Sequence, residues 1–200
     1  MERIELAYDK VVCKKIEAET INYGIISGNE KIVFIKVGAD GNIKGYKNKY
    51  LKMAHRVHEK TGATVICASN PYIENGHVAA DKEMILKVVN EMNFSEYTVS
   101  FFGTSDGAYH NLSLAQEISG VIKILCVNPS SVNLDDLEKK LLKLSSVNKI
   151  LVYGSKDDEY SSLLHLKELN CENLELITID GADHEFKGMS EEYITLIDML

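Results

Sequence analysis

Missing from this 200-residue sequence is any tract that concentrates lysine and arginine, and its formal net charge is −8. Proteins that bind nucleic acid gather cations on one face to meet the phosphates, so a nucleic-acid partner is excluded. Also missing is any run near the roughly 18 apolar residues that a membrane span needs. The N-terminus, MERIELAYDK, carries charges where a secretory peptide needs an apolar core. A cytoplasmic location with no membrane partner is the expectation. The four cysteines, Cys13, Cys67, Cys126 and Cys171, lie far apart and include no C-x-x-C pair. That argues against a disulfide frame or a zinc site and for reduced residues, with Cys67 and Cys126 inside apolar runs. Internal repeats, low-complexity tracts and linkers are lacking too, so residues 1–200 are expected to form one domain.

What is present is a regular alternation. With 45% hydrophobic and 26% charged residues, the composition is that of a folded, soluble protein. From Lys31 on, short β-branched runs recur: KIVFIKVG (31–38), ATVICASN (63–70), YTVSFFG (97–103), IKILCVN (122–128), KILVYG (149–154) and LELITIDG (174–181). Their near-continuous hydrophobicity suits strands covered on both faces, as in a parallel sheet. Helical stripes lie between them, one at Met84, Ile85, Val88, Val89 and Met92, another at Leu134, Leu137, Leu141 and Leu144. Strand-helix repetition of this kind implies right-handed crossovers in a three-layer α/β architecture. The first thirty residues differ: RIEL and VVCKKIEAETINYGIISG alternate polar with apolar and read as an antiparallel edge hairpin. Pro71 and Pro129 each follow an asparagine at a strand end, where proline stops a ladder without harm. About twenty residues separate ILCVNPS from KILVYGS, close to the minimum for a crossover, which leaves no room for a cap domain.

In an open parallel sheet, ligands bind beyond the carboxyl ends of the strands. After 97–103 comes Gly103-Thr104-Ser105-Asp106-Gly107. This G-x-S-x-G spacing is the nucleophile elbow, a strand-to-helix turn so tight that side chains on either side of the serine collide unless they are glycine. The turn lifts Ser105 clear of the sheet and sets it beside the free N–H groups of the next helix, which can hold an oxyanion. After 149–154 comes GSKDDEY, with Asp157 three residues beyond Gly154. After 174–181 comes GADHEF, with His184. A serine hydroxyl is a weak nucleophile alone; a histidine that takes its proton, oriented by a carboxylate, activates it.

Through GTSDG at 103–107, VYGSKDDEY at 152–160 and IDGADHEF at 179–186, the chain resembles the α/β-hydrolase superfamily over most of its length. The resemblance implies a mostly parallel sheet of about eight strands with an N-terminal antiparallel hairpin and no cap domain. It also implies Ser105 as nucleophile, Asp157 as acid and His184 as base. Family members commonly take a second oxyanion donor from the loop after the third strand, often opened by His-Gly; here that loop is Val37-Gly38-Ala39-Asp40-Gly41-Asn42. Because the donor is a backbone N–H, the missing histidine does not remove it, and the expected pair is Ala39 N–H with Asp106 N–H.

Blander roles compete at several of these positions. Asp158 adjoins Asp157, and either suits a helix N-cap near Glu159; register against Gly154 favours Asp157. His55 and His58, spaced i, i+3 on a charged helix, lack an acidic partner for a metal and read as solvated surface, as does His110. A carboxylate at Asp106 would favour cationic substrates, or would simply sit well at a helix N-terminus. The expected activity is hydrolysis of a carboxylic ester or thioester through an acyl-enzyme, with an acyl or other small-molecule substrate and neither metal nor organic cofactor. A non-catalytic binding protein and an acyltransferase with the same triad are the alternatives. Pocket shape is expected to be set by loops 38–48, 70–77 and 129–134.

Overall fold

The computed structural model describes residues 6–73, 77–130 and 134–200. Arg3–Glu5 of the RIEL segment, Glu74 in the loop after Pro71, and residues 131–133 after Pro129 lie outside them. The N-terminal hairpin is β1 (Lys10–Ile16) and β2 (Glu19–Ile26), paired antiparallel from Lys10–Ile25 to Ile16–Glu19. Six strands follow: β3 (Asn29–Lys36), β4 (Ala63–Ala68), β5 (Thr98–Thr104), β6 (Val121–Val127), β7 (Asn148–Gly154) and β8 (Leu174–Ile179). They form one eight-stranded sheet in the order β1-β2-β4-β3-β5-β6-β7-β8. From β3 onward all pairings are parallel, and β2 meets β4 antiparallel.

The order explains where the helices lie. From β3 the chain steps one way to β4, then back past β3 to β5, and continues in that second direction to β8. Right-handed crossovers therefore place α1 (Lys49–Thr61) on one face and α2 (His77–Glu91), α3 (Asp106–Leu114), α4 (Leu134–Lys143) and α5 (Tyr160–Leu166) on the other. Two cores result, one on each face. Strand alternation divides β3 between them: Ile32 and Phe34 pack with Ile85 of α2 and Leu112 of α3, while Val33 and Ile35 pack with Met53 and Val57 of α1. The chain returns after β8 as α6 (Ser190–Thr195), whose Tyr193 and Ile194 join the α1 side. Cys67 and Cys126 are buried as their runs imply, whereas Cys13 is exposed on the edge strand. Among the described residues, no helix is long and apolar enough to cross a membrane.

The same alternation points Lys36, the last residue of β3, into the α2 side, where it is fully buried. Its three donors are all used: Asp81 Oδ2 at 2.9 Å, the Ser69 carbonyl at 3.0 Å and His77 Nδ1 at 3.1 Å. Asp81, on α2 and also fully buried, accepts in addition from Tyr23 Oη at 2.7 Å and His110 Nε2 at 2.9 Å. His77 donates its other nitrogen to the Pro71 carbonyl at 2.7 Å, and burial with the nearby Lys36 charge lowers its pKa. His110 is therefore no surface residue. Its α3 position turns it inward, with 12% of its side chain exposed, and it shares Asp81 Oδ2 with the Lys36 ammonium. His55 and His58 likewise bond backbone carbonyls, of Ala7 and Ala63, each at 2.8 Å.

This network ties the end of β3 to β2, α2, α3 and the loop after β4. Burial alone would raise the Asp81 carboxyl, but Lys36 and His110 outweigh it and hold the group at about 2. Because that lies below the ordinary carboxylate range, the stability tied to Asp81 is fully present above about pH 4 and is lost as pH falls towards 2. Asp81→Asn leaves the Lys36 charge buried without its counter-ion, and a loss of about 3–5 kcal/mol is expected in urea denaturation at pH 7. A difference from wild type smaller than about 1 kcal/mol would show the network to be energetically neutral.

Candidate active site

Between β5 and α3 the backbone turns through a single residue. Ser105 has φ 52° and ψ −126°, a conformation that costs an L-residue about 1–3 kcal/mol and persists only where its surroundings enforce it. A side chain at Gly103 would strike Ala108 of α3, with a Cβ 2.5 Å from its Cα. One at Gly107 would stand 2.2 Å from the Val37 carbonyl oxygen. The two glycines thus serve different neighbours: the first lets α3 fold back over its own strand, and the second lets the helix start pass against the end of β3. The turn is held by Ser105 N–H donating to the Val127 carbonyl at 2.9 Å and by Ser130 N–H donating to the Ser105 carbonyl at 3.3 Å.

His184, in the turn after β8, reaches Ser105 Oγ with Nε2 at 3.0 Å and Asp157 Oδ2 with Nδ1 at 2.9 Å. A carboxylate only accepts, so Nδ1 carries the proton and Nε2 is left to accept from the serine hydroxyl. The Asp157 side chain is fully buried, and its second oxygen accepts the Glu159 N–H at 2.8 Å. Asp158 is exposed and outside this arrangement. Three strand ends are therefore joined through His184, which bridges the side chains at 105 and 157.

Two asparagines that the sequence reading passed over hold these strand ends together. Asn128, fully buried, donates to the carbonyls of His184 at 3.1 Å and Asp183 at 3.4 Å, and accepts the Gly154 N–H at 2.9 Å. It thereby joins the ends of β6, β7 and β8. Asn70 accepts Asp40 N–H on its carbonyl at 2.8 Å, donates its own N–H to the Gly41 carbonyl at 3.1 Å, and donates its side-chain amide to Asp106 Oδ2 at 3.3 Å. Both asparagines are marked in the sequence by a following proline, at 70–71 and again at 128–129.

Ser105 and His184 open on a cleft of about 1100 Å³, bordered by Gly38, Ala39, Lys49, Tyr50 and Tyr193. Among the described residues its walls are drawn from 38–50 and 184–193; residues 70–73 and 77 of one loop expected to shape it, and 129, 130 and 134 of the other, are not part of them, and 74–76 and 131–133 lie outside the described residues. Tyr72 is exposed outside the cleft. Asp106 is not among the lining residues, its carboxylate being turned to Asn70. Among the described residues, the N–H groups of Ala39 and Asp106 have no hydrogen-bond partner. Gly38 lies close beneath: a Cβ there would be 3.5 Å from that of Ser105. No group of three or more His, Cys, Asp or Glu among the described residues is arranged to hold a metal.

Strain at the elbow has a measurable signature. Glycine tolerates the backbone of residue 105 and alanine does not, so Ser105→Gly is expected to exceed Ser105→Ala in stability by about 1 kcal/mol in urea denaturation. Equal midpoints would mean that the turn is unstrained.

No protein-family model matches this sequence, and no curated protein is similar to it in sequence. Solved structures are similar to it in fold. Est1E from Butyrivibrio proteoclasticus superposes with a TM-score of 0.72 at 13% identity, covering 94% of this chain and 96% of its own. An alpha-beta serine hydrolase homologue from Coxiella burnetii gives 0.68 at 16%, covering 96% and 97%. A dienelactone hydrolase from Anabaena variabilis gives 0.69 at 14%, covering 98% and 97%. With the strand order, the antiparallel hairpin and the strand-end turns described above, likeness over nearly the whole of each chain establishes that this protein has the α/β-hydrolase fold.

Proposed function

We propose that the protein is a serine hydrolase that cleaves a carboxylic ester or thioester by way of an acyl-enzyme. The observation that carries this reading is the unbroken hydrogen-bonded line from Ser105 through His184 to buried Asp157, opening on a cleft. Ser105 Oγ attacks the carbonyl carbon as its proton passes to His184 Nε2. Asp157 stays ionised and stabilises the imidazolium through Nδ1–H. The oxyanion accepts from the N–H groups of Ala39 and Asp106, the second aided by the positive end of α3. The C–O or C–S bond then breaks, and Nε2–H protonates the departing alcohol or thiol. Water attacks the acyl carbon while giving a proton to Nε2, and the serine oxygen leaves with that proton restored.

Strain at Ser105 supports the same reading, since a conformation this costly persists at functional positions where the surroundings over-determine it. A protein that only bound a ligand would need no such line of donors and acceptors. Fluorophosphonate labelling with peptide mass mapping tests the proposal: wild type should be labelled at Ser105 and Ser105→Ala should not. Asp157→Asn should hydrolyse a 4-nitrophenyl ester about a thousandfold or more slowly, because it leaves the imidazole in the wrong tautomer. Folded wild type that takes no label at Ser105 would defeat the proposal.

A further inference from the structure

Resting on that reading, we propose that Lys49 makes the cleft selective for esters that carry a carboxylate. The chain enters α1 through Lys47 and Asn48, both in left-handed conformations, and Lys49 is the first residue of the helix. Its side chain is half-buried in the cleft wall, with the ammonium 4.4 Å from the ring centroid of Tyr193 and 5.0 Å from that of Tyr50. Among the described residues, no carboxylate lies within ion-pair distance of it and no acceptor takes its protons. The other two lysines of the cleft, Lys47 and Lys187, are exposed, and Lys187 is paired with Glu185 at 3.3 Å.

Two physical pressures act on this cation. Burial lowers its pKa, which the more distant Glu185 offsets only in part. The amino end of α1 is also the positive end of the helix dipole, and its first turn contains no acidic residue. An anion bound there would relieve both. Tyr ring faces stabilise the ammonium without consuming its three N–H donors, which stay available to a ligand. The carboxylates of the cleft, Glu185, Glu191 and Glu192, lie at its exposed edge, where solvent screens them more than it screens a half-buried charge. Position favours substrate contact: Tyr50, next in sequence, meets the backbone of Gly38, which packs against Ser105.

The test uses matched pairs of esters. Mono-4-nitrophenyl glutarate against 4-nitrophenyl valerate puts the charge on the acyl part; 4-acetoxybenzoate against phenyl acetate puts it on the leaving group. In wild type the charged member of at least one pair should have the higher kcat/KM. Lys49→Met should lower that charged-to-neutral ratio about tenfold, the size of one charge-assisted contact, and Lys49→Arg should largely keep it. Lys52→Met, which removes the same charge from an exposed site on α1, should leave the ratio within twofold of wild type. Binding of monomethyl glutarate against methyl valerate to Ser105→Ala, followed by NMR, reads the same preference without turnover. It therefore separates failure of this inference from failure of the hydrolase reading. Ratios and binding preference unchanged by Lys49→Met, or changed as much by Lys52→Met, would overturn the proposal.

Discussion

The start of α3 passes so close to the end of β3 that only a hydrogen atom fits at position 107, against the Val37 carbonyl. That backbone contact is the constraint from which the candidate site follows. It brings the loop after β3 against the elbow, so that Gly38 and Ala39 border the same space as Ser105. It also lies where the chain reverses its direction across the sheet, and loops beyond the strands diverge most at such a reversal. A cleft at this place is a consequence of strand order before any side chain is considered.

A contact this tight needs rigid partners on both sides. Beneath it, Lys36 occupies the last position of β3, and its ammonium is satisfied by groups from α2 and from the loop after β4. Asp81 carries the connection on to β2 and α3. Buried charges of this kind are a weak source of net stability compared with well-packed apolar residues. Their directionality is what an apolar cluster lacks: one ammonium with three fixed acceptors sets the position of each element it joins. Asn70 and Asn128 perform the same service above the sheet, one between the β3 loop and α3, the other among the ends of β6, β7 and β8.

Much of this could be read from the sequence because it rests on local or periodic signals. All six apolar runs became strands, and the polar-apolar alternation of residues 11–28 became the hairpin. The positions 105, 157 and 184 were legible because each follows a strand at a short, fixed interval. Register against Gly154 separated Asp157 from Asp158, and the reason is now visible: the end of β7 is pressed against the Ala182 carbonyl, leaving no freedom in that turn. What the sequence did not disclose depends on pairing between distant elements. His110 looked like a solvated helix residue because nothing near it in sequence announces Asp81. The wall formed by 184–193 depends on α6 returning to the α1 face, a matter of tertiary packing and not of pattern.

The two walls of the cleft differ in how they are anchored. The α1 side hangs from a loop fixed by Asn70, independent of the imidazole. The opposite side, 184–193, begins with His184 itself, so a ligand that presses on that wall also presses on the nitrogen facing Ser105. Both flanks nonetheless converge on one residue: Gly38 packs against Ser105 from the α1 side and His184 Nε2 faces its hydroxyl from the other, so a shift of either wall reaches the same side chain by a different route.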